Sequence, residues 1–74
     1  MRKVKVGDYT IELDEKFVEK YEEVTCGTID VFAKHYLCLH FNARTLNEAL
    51  RKCSKKEAAE IIINYMKADI EINE

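Results

Sequence analysis

The stretch Ile29-Asp-Val-Phe-Ala-Lys-His-Tyr-Leu-Cys-Leu-His-Phe41 decides the fold, because two periodicities compete within it. Ile29, Phe32, Ala33, Tyr36, Leu37 and Phe41 recur at helical spacing, whereas Leu37, Leu39, Phe41 and Ala43 alternate as a half-buried strand would. Thr28 stands where an N-cap belongs, Asp30 falls in the first turn, and 13 residues exceed the usual strand, so the preferred reading is a helix. The rival reading makes residues 27–33 and 36–42 a second hairpin.

Working outward toward the N-terminus, Lys3-Val-Lys-Val6 and Tyr9-Thr-Ile-Glu-Leu13 both alternate polar and apolar residues around Gly7-Asp8, the pattern of a β-hairpin. Asp14 then suits an N-cap, and Phe17, Val18, Tyr21 and Val24 share one face of a helix over 15–24, with Gly27 expected as its left-handed terminator. Toward the C-terminus, Thr45-Leu-Asn-Glu48 and Ser54-Lys-Lys-Glu57 are both capping boxes. The first opens a short amphipathic helix through Leu46, Ala49, Leu50 and Cys53; the second opens the longest helix, through about Ala68. Ile70-Glu-Ile72 reads as a third strand joining the hairpin. The expected class is therefore α+β, an N-terminal β-hairpin packed on three to four short helices.

Seventy-four residues, 47% hydrophobic and 35% charged, describe one globular domain over 1–74, of a size at which burial leaves stability marginal. The opening Met1-Arg-Lys-Val-Lys-Val-Gly7 lacks the apolar core of a secretory signal, and no apolar run approaches the ~20 residues that span a bilayer. Cys26, Cys38 and Cys53 cannot all pair within one chain and match no secreted disulfide scaffold. A cytoplasmic protein with reduced thiols and no membrane association is expected.

Three chemistries find little support in the sequence. His35-x-x-Cys38-x-His40 has no common zinc spacing, and Cys-x-x-Cys is absent, so no metal or other cofactor is expected. Cys26 precedes a helix N-terminus, where the dipole lowers a thiol pKa, yet no base or oxyanion donor can be assigned to it, and no enzyme is expected. The helices over 45–53 and 54–68 leave almost no residues for the turn of a helix-turn-helix, and the tyrosines do not interleave with cations as a stacking platform would.

Two binding surfaces are legible. Apolar residues occupy more than half the circumference of the last helix, so it is either the central helix of the fold or is covered by a partner. On the second alternative, Ala59, Ile63 and Met66 form the protein-binding or self-association face of a homo-oligomer such as a dimer, while Ala58, Ile61, Ile62 and Tyr65 face inward. The basic residues Lys34, Arg44, Arg51, Lys52, Lys55 and Lys56 meet only Glu48 between residues 33 and 56, giving a nucleic-acid-binding alternative unless the acidic first helix lies across from them.

The hairpin Lys3-Val-Lys-Val-Gly-Asp-Tyr-Thr-Ile-Glu-Leu13, followed by Phe17-Val-Glu-Lys-Tyr21-Glu-Glu-Val-Thr-Cys-Gly27 and short helices, resembles the small tail-assembly chaperones of phages. The resemblance covers the first third of the chain and implies binding to a tape-measure protein; no functional residue is carried over by it. The functional expectation is a small non-enzymatic protein-binding domain: an inhibitor, regulator or assembly adaptor, of the kind mobile elements and phages encode.

Overall fold

A computed structural model describes residues 1–73. Strands β1 (Arg2–Val6) and β2 (Tyr9–Leu13) form an antiparallel hairpin, followed by α1 (Glu15–Thr25), α2 (Ile29–Phe41), α3 (Leu46–Leu50) and α4 (Lys55–Asn73). The α+β class and the hairpin turning at Gly7-Asp8 are as the sequence predicts, and the contested stretch Ile29–Phe41 is a single helix.

Local chemistry explains each boundary. Gly7 adopts φ +62° as the first residue of a two-residue turn between the paired Val6 and Tyr9, a conformation that costs glycine little. It has a second reason to lack a side chain, because a Cβ there would sit 2.5 Å from Leu50 Cδ1, so the turn rests directly on α3. Asp14 caps α1 by accepting a hydrogen bond from the Phe17 amide at 3.1 Å. The left-handed residue ending α1 is Cys26, at φ 56°, in place of the expected Gly27. Gly27 answers to packing instead: the Phe32 ring lies over it, with Cε2 2.2 Å from where a Cβ would be.

Thr28 occupies the N-cap of α2 without a side-chain cap bond; Glu22 of α1 accepts from the Ile29 amide at 3.0 Å instead. Asn42 ends α2 in a left-handed conformation. Thr45 Oγ1 accepts from the Glu48 amide at 3.2 Å at the start of α3. At the start of α4 the box is reciprocal, Ser54 Oγ accepting from the Glu57 amide and Glu57 Oε1 from the Ser54 amide.

The hairpin buries Val4, Val6, Ile11 and Leu13 and turns Lys3, Lys5, Thr10 and Glu12 to solvent, with Lys3 directly opposite Glu12. Its apolar face is covered by α2 along β1 and by α4 along β2, and α1 packs on α4. On α4, Ala58, Ile62, Met66 and Ile70 succeed one another every four residues and form the buried ridge. The expected third strand is not formed. Ile70 is the next step of that ridge, and burying it as helix continues the packing already built, so α4 runs through 70–72 and leaves Ile72 79% exposed.

Placing Met66 in the ridge has a measurable consequence. Met66→Ala should cost about 2–5 kcal/mol, the usual range for truncating a buried large side chain. Lys67→Ala, on the neighbouring exposed position, should change stability by less than about 0.5 kcal/mol. Chemical denaturation followed by circular dichroism of the two variants checks the contrast, which disappears if Met66 lies at the surface.

Candidate interaction surface

The residues with chemical potential are dispersed. Among the described residues, no three His, Cys, Asp or Glu side chains converge as a metal site. Cys53 is buried, its thiol donates toward the Ala49 carbonyl at 3.7 Å, and burial pushes its pKa up, away from the thiolate a nucleophile needs. Cys26 sits at the C-terminal end of α1 with its thiol directed at the Glu23 carbonyl. A groove of about 430 Å³ beside the hairpin turn is lined by Asp8, Tyr9, Asn47, Leu50, Arg51 and Cys53. The Tyr9 hydroxyl there donates to the Cys53 carbonyl at 3.1 Å and approaches the Leu50 carbonyl at 3.4 Å, tying the hairpin to the loop after α3.

A polar cluster joins the helices where two of its three members are buried. Tyr21 of α1 and Tyr36 of α2 are hydrogen-bonded through their hydroxyls, and the Tyr36 hydroxyl donates to Asp69 of α4. The Tyr36 ring stacks between Phe32 and Tyr65, at centroid separations of 6.1 and 5.2 Å, and the His40 ring meets Tyr65 edge-on. Burial raises the pKa of both phenols, and for Tyr36 the bond to Asp69 adds to the effect because an ionised phenol would face a carboxylate. The hydroxyls therefore stay protonated and join three helices. The sequence gives no signal for this chain, since Asp69 follows Ala68, where the helical pattern is expected to end.

On α4, Met66 is 0% exposed, which removes it from any surface. Ala59 and Ile63 are half-buried and pack against the core beside Ile61 and Tyr65. The breadth of the apolar face follows from α4 being the central helix, in contact with α1, β2 and α2.

All six basic residues are exposed: Lys34 on α2, Arg44 before α3, Arg51 and Lys52 after it, Lys55 and Lys56 in the first turn of α4. None of them forms an ion pair with a described residue, and Glu22 of the acidic α1 contacts Arg2 at 3.8 Å. Glu48 and Glu57 turn carboxylate oxygens to the backbone amides of Arg44 and Ser54. Four residues, 51–54, separate α3 from α4, more than the sequence reading allowed, because Cys53 belongs to the loop and not to α3. The pair still lacks the form of a DNA reader: α3 is 5 residues long and the inner ridge of α4 is core.

Apart from Met1 and Ile72 near the ends of the chain, the exposed large apolar side chains among the described residues lie on α2. Val31 is 66% exposed, Leu39 58% and Phe32 36%, while Ile29, Ala33, Tyr36 and Leu37 of the same helix are buried. At 100° per residue, Cys38, Val31, His35, Leu39 and Phe32 fall in that order across an arc of about 120°. His35 is exposed and Cys38 half-buried, and the arc contains no Asp, Glu, Lys or Arg. The sequence signal was present in Val31 and Leu39, eight residues apart and both outside the inner face. Leu39 was counted toward the strand reading instead.

The fold and this surface define a small α+β domain with an apolar outer helix face. No protein-family model, curated protein or solved structure compared with the chain matches it, so no relative joins the resemblance to tail-assembly chaperones.

The phenol chain sets how stability depends on pH. The unfolded chain loses phenol protons around the ordinary value of 10.0, while the fold holds those of Tyr21 and Tyr36 to higher pH. Above that value the unfolded state binds fewer protons than the native one, so stability present in full below pH 10.0 falls as pH rises past it. Tyr36→Phe should cost about 1–3 kcal/mol at neutral pH by leaving Tyr21 and Asp69 without their shared partner, and should flatten the alkaline loss. Urea unfolding of both proteins across the alkaline range checks both effects; parallel profiles would show that the Tyr36 proton is not held.

Proposed function

We propose that the chain is a non-enzymatic protein-binding domain that docks through the outer face of α2. The observation that carries the reading is the charge-free strip of Val31, Phe32, His35, Cys38 and Leu39, on a chain in which 35% of residues are charged. Desolvating such a strip removes apolar area from water at about 25 cal/mol per Å² without stripping the hydration of a formal charge. An uncharged centre with charged flanks is the composition of an interface core and its rim. Lys34 supplies one flank. Ala59 and Ile63 of α4 add little, because they are already packed against the core.

Selection of a displayed peptide library on the immobilised chain tests this reading. Apolar amphipathic peptides should be enriched, and Leu39→Lys should weaken their binding by at least about tenfold, a loss of about 1.4 kcal/mol, with the circular dichroism spectrum unchanged. Peptides that bind the variant as tightly as the parent would place the docking surface elsewhere.

A second reading rests on the six exposed basic residues, none ion-paired with a described residue, whose partner would be the phosphate backbone of a nucleic acid. Fluorescence anisotropy with random-sequence duplex DNA and RNA tests it. Binding should weaken steeply with salt, and each Lys→Ala change among Lys52, Lys55 and Lys56 should lower the salt slope by about one. Absence of binding at low salt would remove this reading.

A further inference from the structure

We infer that the groove between the hairpin turn and α3 is a binding site for a small zwitterion, an α-amino acid with an apolar side chain. The site is separate from the α2 face and stands whether or not that face docks a partner.

The groove encloses about 430 Å³, within the range of small-molecule sites. Its lining divides into two kinds. Tyr9, Leu50 and Cys53 are buried or half-buried and offer apolar surface. Their polar atoms are already committed, the Tyr9 hydroxyl to the Cys53 carbonyl at 3.1 Å and the Cys53 thiol to the Ala49 carbonyl at 3.7 Å. Asp8, Asn47 and Arg51 are exposed, and none of their side chains forms a hydrogen bond or ion pair with a described residue. The groove therefore borders on an uncommitted carboxylate, an uncommitted amide and an uncommitted guanidinium.

Their places in the chain fix the arrangement. Asn47, Leu50 and Arg51 stand at i, i+3 and i+4, so they share one side of α3 and its C-cap. Asp8 comes from the hairpin turn, which Gly7 seats against Leu50 and Leu46. The bond from Tyr9 to the Cys53 carbonyl holds the two elements together. Asp8 and Arg51 thus line one groove from separate elements without closing an ion pair across it.

A ligand that uses this lining presents an anionic group to Arg51 and Asn47, a cationic donor to Asp8 and an apolar body to Leu50. Guanidinium takes a carboxylate through two parallel N–H bonds, and a carboxylate accepts well from an ammonium group. A simple anion would meet repulsion from Asp8, and a simple cation from Arg51. An α-amino acid carries both charges on neighbouring atoms and satisfies both walls at once. Exposed charges interact weakly through water, which places the affinity in the millimolar range.

Titration of the isotope-labelled chain with L-leucine, followed by amide chemical shifts, tests the assignment. Saturable shifts should be confined to residues 7–9 and 46–54. N-acetyl-leucine, which lacks the ammonium, and leucinamide, which lacks the carboxylate, should each bind at least about threefold more weakly. Two variants should then divide the analogues. Asp8→Asn should lose the preference for leucine over N-acetyl-leucine and keep that over leucinamide, while Arg51→Gln should do the reverse. Both positions are exposed, so both variants should keep the circular dichroism spectrum of the parent. Shifts that fail to saturate, or that centre on the α2 face, would overturn the inference. So would equal binding of leucine and its two analogues to the parent chain, a comparison that decides the matter even if a variant unfolds.

Discussion

Covering α4 is the constraint on which the rest of the structure depends. A helix of 19 residues with the ridge Ala58, Ile62, Met66 and Ile70 and a half-buried shoulder of Ala59, Ile61, Ile63 and Tyr65 has to be shielded on three sides. The chain does so with β2, α1 and α2, whose buried residues include Ile11 and Leu13, Val18 and Tyr21, and Tyr36 and Leu37. Hydrogen bonding follows the same plan, because the chain from Tyr21 to Tyr36 to Asp69 takes a member from each of α1, α2 and α4. With the inner faces of α1 and of the hairpin committed in this way, α2 keeps Val31, Phe32 and Leu39 on its solvent side, while α4 exposes Ile72 near its end.

Much of this was legible from local chemistry. Asp14, Thr45 and Ser54 each accept the capping hydrogen bond expected of them, and alternation about Gly7-Asp8 fixed both strands and their inward faces. The capping boxes worked because they are settled within four residues, where no distant contact intervenes. The misreadings came where a distant element decided the outcome. Ile70-Glu-Ile72 alternates like a strand, yet Ile70 follows Met66 on a buried ridge, and that continuity outweighs intrinsic preference. Gly27 was read as a backbone terminator, but its missing side chain answers to Phe32, and the positive φ fell to Cys26.

The candidate surface was less legible, for a related reason. Apolar breadth on a helical wheel counts the sides that are covered without saying by what. α4 and α2 both have it; on α4 the breadth is absorbed by three neighbours, and on α2 it is not. Only packing separates Met66, fully buried, from Leu39, more than half exposed, and no property of either residue taken alone would do so. Charge was easier to read along the chain than across it. The basic residues from Lys34 to Lys56 are exposed, and the ion pairs of the α1 and α2 carboxylates Glu22 and Asp30 are with Arg2.

The order of the elements also bears on how the chain acquires its structure. The helix on which β2, α1 and α2 rest follows all of them in the sequence and so leaves the ribosome after them. Until it is available, β2 and α1 lack the helix they pack on, and an isolated two-stranded hairpin is at best marginally stable in water. The exposed inner faces of Ile11, Leu13, Val18 and Tyr21 are then open to wrong associations during synthesis. Structure should therefore appear in one late, cooperative step when α4 closes over them, and not be built up helix by helix.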